Sequence, residues 1–300
     1  MIKISHSLRS AFKACPRKVY YKYVAGIDRI LGDSAARAIG RAFHSGLEHI
    51  RRGEGWQYAV ASSKENLHDD LLSNQWASDE IKQEQIKIGV YLTGYLERYC
   101  DENRVWYDVE KSIETEREIG FVDALFVEGD SYYIVEDKTR STLTKNLSYH
   151  VLVNEQLLNY AHLLREIGFN VKGAFYREIM KSRSSIKKTE GEAEFEARLR
   201  EEYFHGDRYQ EGAIYFNDEM LDNYGKEKED HDKYIMSLVN SGSRLERWPR
   251  NTDVCVGMYG QCDFIELCAG CKGVADKFKC NDREPQDMGL GRSRFLGVKP

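Results

Sequence analysis

Residues 120–139 form the feature of this sequence that most constrains how the chain folds. Two runs rich in Val, Ile, Phe and Tyr flank a Gly-Asp step at 129–130, a pattern typical of a β-hairpin. If this step forms the turn, Asp123 on the first strand lies directly opposite Glu136 on the second. Side chains alternate between the faces of a strand, so Lys138 shares the face of Glu136. The segment predicts two paired strands with two carboxylates and an ammonium group on one face.

The opposed carboxylates create a physical problem that a cation would solve. Like charges directly across a strand pair destabilise it, and a divalent cation is the simplest compensation. Mg²⁺ is typically held by one or two carboxylates and completes its shell with water and substrate phosphate. Such an ion activates water and neutralises charge on phosphate, and Lys138 could orient that water. The alternative is a solvated acidic face, but apolar neighbours such as Val122 and Ile134 favour a buried pair.

Two further pairs of residues stand one helical turn apart, and therefore share a helix face. Gly40 and His44 form the first pair; the glycine admits a close neighbour, and the histidine is a candidate metal ligand. Gln156 and Tyr160 form the second pair, beside an apolar stripe, where they could reach a phosphate or a base. Taken alone, each pair is better explained as ordinary helix residues.

Composition limits the classes of function. The chain of 300 residues carries a net charge of −5, which implies no broad basic surface and counts mildly against nucleic-acid binding, but leaves room for a local basic channel. No stretch approaches the roughly 20 apolar residues of a membrane helix, and residues 1–6 lack the apolar region of a secretory signal. We expect a cytoplasmic protein with no membrane partner.

The cysteines indicate a metal rather than disulfides. Thiols stay reduced in the cytosol, and an odd count of seven argues against complete pairing. Five of the seven fall between residues 255 and 280. Four thiolates suit an iron–sulfur cluster, but they also suit structural zinc. The spacing alone leaves both open.

Taken in chain order, these pieces resemble the RecB-like branch of the PD-(D/E)XK nuclease superfamily. That branch shows a GxxxH helix, a strand Asp, a (D/E)xK strand and a QxxxY helix. The matching residues are Gly40 with His44, Asp123, Glu136 with Lys138, and Gln156 with Tyr160.

The resemblance implies an α/β fold with a mixed central sheet flanked by helices, as in restriction endonucleases. It also implies Mg²⁺- or Mn²⁺-dependent hydrolysis of DNA phosphodiester bonds. His44, Asp123 and Glu136 would be the metal ligands and Lys138 the base-like catalytic residue. Gln156 and Tyr160 would contact DNA or the active site.

The resemblance extends to the cysteines, because AddB-like and CRISPR-associated members of this branch carry a 4Fe–4S cluster. In those proteins one early cysteine joins three near the C-terminus. The matching residues here are Cys15, Cys255, Cys262 and Cys268. The six-residue gap after Cys255 departs from the usual two, and Cys271 is a rival for the fourth position. Zinc is the alternative to iron.

Four regions are expected along the chain. Residues 1–100 form a helical region that contains Cys15 and the GxxxH helix, and residues 101–180 form the nuclease core. Residues 181–283 form a helical and Cys-rich cluster region with helical insertions, and residues 284–300 form a tail.

The expected function is that of a DNA exonuclease in recombination, repair or phage replication. Its substrate would be single-stranded DNA or DNA with free ends. The alternatives are a non-catalytic nucleic-acid-binding module and a zinc-stabilised interaction protein on the same kind of fold.

Overall fold

The structure, a computed structural model, describes residues 3–30, 35–99, 104–240, 244–257 and 260–280. The chain divides into two compact units. The first comprises residues 1–31, 112–120 and 218–300, and the second comprises residues 32–111 and 121–217. Within the described ranges, no helix has the length and apolar character needed to cross a membrane.

The described residues form ten α-helices and nine strands. The helices are α1 His6–Ala14, α2 Pro16–Val19, α3 Ala35–Arg51, α4 Trp56–Ser73, α5 Ser78–Arg98, α6 Leu147–Leu152, α7 Glu155–Glu166, α8 Glu192–His205, α9 Asp218–Asn240 and α10 Ile265–Ala269. The strands are β1 Ile27–Arg29, β2 Val105–Glu114, β3 Ile119–Glu128, β4 Ser131–Arg140, β5 Val171–Met180, β6 Tyr209–Tyr215, β7 Val256–Gly257, β8 Gly260–Gln261 and β9 Phe278–Cys280.

The central sheet has five strands in the order β2-β3-β4-β5-β6. β3 and β4 pair antiparallel, β4 and β5 pair parallel, and β5 and β6 pair antiparallel. A parallel pair needs a long crossover connection, and helices α6 and α7 provide it between β4 and β5. The predicted α/β fold with a mixed sheet flanked by helices is confirmed.

The hairpin of β3 and β4 has the predicted register. Ala124 pairs with Val135, and the pairing continues to Glu128 and Ser131 at the turn. Gly129 supplies the left-handed backbone of that turn, with a φ of 62°. One step beyond the Ala124–Val135 pair, Asp123 falls opposite Glu136, as the sequence predicts.

Other elements differ from expectation in detail. Sequence patterns did not predict α6 or β6. Cys100 and the expected tail at 284–300 lie outside the described residues.

The second unit buries a core between α3, α4, α5, α8 and the sheet. α3 approaches its neighbours closely at Gly46. A Cβ there would lie 2.5 Å from the Ser63 hydroxyl and 2.6 Å from Leu92 Cδ1. This close crossing holds α3 in place, and α3 carries His44.

The first unit is assembled from both ends of the chain. Trp248 is fully buried and packs edge-on against Phe12 of α1, at 6.4 Å between ring centroids. The buried Arg9 side chain bonds Asp232 of α9, with 2.6 Å between Nε and Oδ1, and also contacts Glu118. β1 pairs antiparallel with β9. These contacts bring residues near 15 and residues near 255 into one unit.

Candidate active site and cysteine cluster

Two strands of the second unit present the predicted carboxylates together. Asp123 Oδ2 accepts a hydrogen bond from the backbone N–H of Asp137 at 2.9 Å. Glu136 is fully buried, and its Oε1 accepts from Lys138 Nζ and, at 2.8 Å, from Gln156 Nε2. Glu136 Oε2 is buried and has no hydrogen-bond partner among the described residues. Because buried polar atoms are nearly always partnered, this oxygen is suited to a ligand.

The electrostatics of the pair favour binding of a cation. Burial and the nearby Asp123 carboxylate raise the pKa of Glu136 to about 8, although Lys138 opposes the shift. Burial lowers the pKa of Lys138, but the carboxylates of Glu136 and Asp123 outweigh it and raise that pKa. Lys138 therefore stays protonated, and a further positive charge would be needed to ionise Glu136 at neutral pH.

Two further side chains, those of His44 and Glu110, lie close to the Asp123 carboxylate. His44 on α3 places Nδ1 3.5 Å from Asp123 Oδ2. Glu110 on β2 joins them, because ligand atoms of His44, Glu110 and Asp123 all lie within 4.8 Å of one another. Histidine nitrogen and carboxylate oxygens are suitable donors for Mn²⁺ or Mg²⁺, so this group fits a divalent metal.

Glu110 is a member of this group that the sequence patterns did not indicate. Its backbone has a φ of 52°, a left-handed conformation that is costly for a residue with a Cβ and that clusters at functional sites. Although Glu110 is exposed as a residue, partial burial of its carboxyl group and the charges of Asp123 and Glu48 raise its pKa to about 7.

The structure therefore brings His44 and Asp123 together, adds Glu110, and places Glu136 beside Asp123 but not within the same group of ligand atoms. Glu136 Oε1 is occupied by Lys138 and Gln156, while its Oε2 remains available. The ligand set predicted from the resemblance is His44, Asp123 and Glu136. The geometry offers Glu110 as a further carboxylate.

The two helical pairs have different surroundings. Thr139 is a close neighbour of Gly40, but a Cβ on Gly40 would lie 3.6 Å from Thr139 Oγ1, an ordinary van der Waals contact, so this approach does not depend on the glycine. Gln156 Nε2 donates to Glu136 and, at 2.9 Å, to the Tyr160 hydroxyl. The Gln156–Tyr160 pair thus holds Glu136 in place.

The other face of β4 is fixed by a buried ionic network. Asp137 Oδ2 lies 2.5 Å from Arg51 Nη2, and the Tyr95 hydroxyl donates to Asp137 Oδ1 at 2.9 Å. Burial would raise the pKa of Asp137, but Arg51 and Arg177 outweigh it and lower that pKa. Asp137 stays ionised, and its backbone N–H orients Asp123.

The four cysteines named by the resemblance lie in one neighbourhood of the first unit. The backbone N–H of Asn251 donates to Cys15 Sγ at 3.4 Å, and Cys255 Sγ donates to the Asn251 carbonyl at 3.7 Å. Partial burial raises the pKa of Cys255. The nearby thiol groups of Cys262, Cys268 and Cys15 raise it further. Cys271 is exposed, and the described cysteines form no disulfide.

A mixed five-stranded sheet with carboxylates and a lysine on adjacent strands defines the class of restriction-endonuclease-like proteins. The sequence matches the family model of the PD-(D/E)XK nuclease superfamily over residues 3–269. The chain belongs to this superfamily, whose members are generally nucleases that use divalent metals. A search of the curated proteins found no match.

Proposed function

We propose that this protein is a Mg²⁺- or Mn²⁺-dependent deoxyribonuclease whose active site contains His44, Asp123, Glu136 and Lys138. The buried, unpartnered Oε2 of Glu136 carries the proposal, because Glu136 falls opposite Asp123 in the β3–β4 hairpin, and the Asp123 carboxylate belongs to a group of three potential ligands with His44 and Glu110.

Each side chain has a defined role in this proposal. A divalent metal held by His44, Asp123 and one or both glutamates would supply Lewis-acid charge and an activated water. Protonated Lys138 orients that water and stabilises negative charge on the phosphate. Gln156 donates to Glu136 Oε1 and to the Tyr160 hydroxyl, which fixes the Glu136 carboxyl group while its Oε2 has no protein donor among the described residues and could bind the metal.

We extend the proposal to an exonuclease acting in the cytoplasm on single-stranded DNA or DNA with free ends, in recombination, repair or phage replication. The resemblance to the RecB-like branch supports this extension. A non-catalytic nucleic-acid-binding module is the alternative, and the set of Asp123, Glu136 and protonated Lys138 favours catalysis over it.

We also propose that Cys15, Cys255, Cys262 and Cys268 hold a 4Fe–4S cluster. Their mutual proximity and the absence of disulfides among the described cysteines support four thiolate ligands, which is what such a cluster requires. Structural zinc on the same thiolates is the alternative.

The test of the proposed function is incubation of end-labelled single- and double-stranded DNA with Mg²⁺ or Mn²⁺. We expect metal-dependent cleavage that EDTA stops. Shortening from an end would support an exonuclease, whereas internal products would support an endonuclease. Binding of DNA without cleavage under all these conditions would favour the non-catalytic alternative.

Lys138→Ala is expected to remove cleavage but to retain Mn²⁺ binding. The ammonium group contacts Glu136 Oε1 and stays protonated, so it is not a metal ligand. Isothermal titration with Mn²⁺ measures the affinity, and a gel assay measures cleavage. Loss of Mn²⁺ affinity in this variant would make Lys138 a structural partner of Glu136 instead.

Glu110→Gln is expected to weaken Mn²⁺ binding by roughly tenfold or more, the scale of losses in metal-site variants. Glu110 must lose a proton to bind metal, and its pKa is about 7. The affinity of the wild-type protein should therefore rise as pH increases through about 7, and less steeply in the variant. Titration at several pH values measures both effects.

Glu48→Gln is the matched control, because Glu48 raises the pKa of Glu110 without belonging to the ligand group. Its removal should move the pH dependence of Mn²⁺ affinity to lower pH and leave the limiting affinity unchanged. Equal losses of limiting affinity in the two variants would remove Glu110 from the ligand set.

A further inference from the structure

A polar cavity of about 450 Å³ lies in the second unit, and none of the proposed metal ligands lines it. It opens where β4 and β5 end, and its polar lining comes from two loops, from α8 and from the residue before β6. These residues are Ser141, Thr142, Lys181, Arg183, Ser184, Glu202 and Arg208.

The parallel directions of β4 and β5 determine where this cavity lies. β4 and β5 are parallel, and Arg140 pairs with Met180 at their last position. Both strands therefore leave the sheet at the same end, and the backbone N–H of Lys181 donates to the Arg140 carbonyl at 2.7 Å, which keeps the two loops side by side. The carboxyl ends of parallel strands are a common place for ligands in open α/β sheets.

The charges in the cavity do not balance. Its lining holds three cationic side chains and one carboxylate, and that carboxylate, Glu202, contacts Arg208. Lys181 and Arg183 have no carboxylate partner among the residues that the structure describes. Burial lowers the pKa of Lys181, and only Glu84 opposes it. Glu84 is itself paired with Lys87 at 2.6 Å, so it only partly offsets the cost of desolvating Lys181, and an anion in the cavity would lower that cost further.

We propose that this cavity binds a backbone phosphate of the nucleic-acid strand that the active site cleaves. The inference rests on the proposed function and names a second contact to its substrate. Lys181 and Arg183 supply charge, and the hydroxyl groups of Ser141 and Thr142 supply donors. These chemical groups are the ones that proteins use for phosphate contacts.

The distance to the active site suits one continuous strand. Lys138 lies three residues before Ser141 on the same chain segment, which is roughly 10 Å at the rise of a strand. A separation on this scale is spanned by a few nucleotides of one strand, whose charges recur about every 3.4 Å along the axis when it is stacked as in a duplex. Ser141, Thr142 and Arg183 line the cavity and are exposed, so a passing strand can reach the site without entering a closed pocket.

The test compares two double variants from the same segment of chain. Lys181→Ala/Arg183→Ala removes the two cavity cations. Lys187→Ala/Lys188→Ala removes the same charge from exposed side chains that do not line the cavity. Binding of a fluorescent single-stranded oligonucleotide is measured in EDTA, where no cleavage occurs, over a range of salt concentrations. Thermal unfolding checks that both variants fold.

We expect the cavity variant to bind at least tenfold more weakly than the control variant at low salt. Two lost phosphate contacts should reduce the slope of log affinity against log salt by about 1.4, at about 0.7 per contact for single strands. Equal affinities and slopes in the two variants would overturn the proposal.

Further measurements distinguish a site for free phosphate from a site for nucleic acid. They also distinguish failure of the cavity proposal from failure of the proposed nuclease function. Inorganic phosphate at matched ionic strength should compete only weakly; if it binds tightly to wild type while the cavity variant keeps its DNA affinity, the site takes free phosphate and the proposal is wrong. Cleavage by wild type with an unchanged KM in the cavity variant also rejects the second contact. Absence of any cleavage, with selective loss of binding in the cavity variant, would reject the proposed nuclease function and retain the cavity.

Discussion

Glu136→Gln is expected to reduce DNA cleavage by about 10³-fold or more, the scale of loss when a central catalytic group is removed, without lowering the stability of the metal-free protein. The glutamine amide keeps the volume of the side chain, and its oxygen can still accept from Gln156. It removes a buried carboxyl group whose ionised form is disfavoured by burial and by Asp123. The glutamine oxygen can also replace Glu136 Oε1 as the acceptor for Lys138, and Lys138 keeps the nearby charge of Asp123.

The effect of Glu136→Gln on the stability of the protein is expected to depend on pH. The pKa of Glu136 is raised to about 8 in the folded protein from an ordinary value of 4.5, so the folded state holds this proton more tightly than the unfolded state does. Its contribution to the free energy of unfolding therefore falls as pH rises from about 4.5 to about 8. The free energy of unfolding of Glu136→Gln, relative to that of wild type, should therefore increase across that pH range and stay constant above it.

Thermal unfolding in EDTA at pH 6 and pH 8.5 measures this effect, and a second series with Mn²⁺ measures metal binding. Ligand that binds only the folded state raises Tm, so Mn²⁺ should stabilise wild type more than the variant. Full cleavage by the purified variant would contradict the active-site assignment. A large fall in metal-free Tm would mean that Glu136 serves the fold instead.

Glu178→Gln is the matched control. Glu178 is a second fully buried glutamate, and its Cα lies opposite that of Lys138 in the parallel pairing of β4 and β5. Burial would raise its pKa, but hydrogen bonds from Thr144 and Gln210 and the charge of Arg140 outweigh this and lower it. Its carboxylate stabilises the fold, and its replacement should cost about 1.5–3 kcal/mol, the usual range for hydrogen bonds to a charged group.

These two neighbouring glutamates show how a structural carboxylate differs from a candidate catalytic one. Glu178 accepts from four donors, including the Thr144 backbone N–H at 2.8 Å and the Arg140 Nε at 2.9 Å. Glu136 has one oxygen without a protein donor. Shifts of pKa away from the ionised form are typical of functional sites, and here the shift coincides with the unpartnered atom.

Sequence patterns predicted the hairpin because its register depends only on local chemistry. The Gly-Asp turn and the alternation of apolar residues fix which residues of β3 and β4 face each other. Asp123, Glu136 and Lys138 could therefore be placed on one face before any tertiary contact was known.

Glu110 could not be placed in the same way. A left-handed residue inside β2 interrupts the regular alternation of side chains, and no two-residue turn sets the pairing of β2 with β3. The contact of Gln156 with Glu136 also depends on how α7 packs on the sheet, which the periodicity of a helix does not specify. β6 escaped prediction because its residues alternate weakly and include Gly212.

The proximity of the cysteines was predicted from the resemblance and not from their spacing in the sequence. Cys15 and Cys255 are far apart in sequence, yet Asn251 contacts both sulfur atoms. The buried Arg9 side chain joins α1 to α9 within the same unit. Packing of α1 and α9 is what brings the two segments together, and no local pattern encodes it.

Replacement of Cys15, Cys255, Cys262 or Cys268 by Ser is expected to remove bound iron, brown colour and most of the soluble protein. A shared metal centre between Cys15 and the later cysteines closes nearly the whole chain into one loop. Such closure restricts the unfolded ensemble, and chain entropy gives a disulfide over ~100 residues a stabilisation of about 4.7 kcal/mol. The dependence on loop length is weak, so a cluster with four attachments should contribute at least a comparable amount.

Cys271→Ser is the matched control for this last prediction, because Cys271 follows Cys268 by three residues but is exposed. It should retain iron and solubility, as should Cys280→Ser. Anaerobic purification, visible absorbance and an assay for iron and zinc measure the outcome. Iron retained in Cys15→Ser, or iron lost in Cys271→Ser, would contradict the ligand set. Zinc in place of iron would reject the iron–sulfur cluster, yet each of the four ligand variants should still lose solubility, because closure of the chain does not depend on which metal closes it.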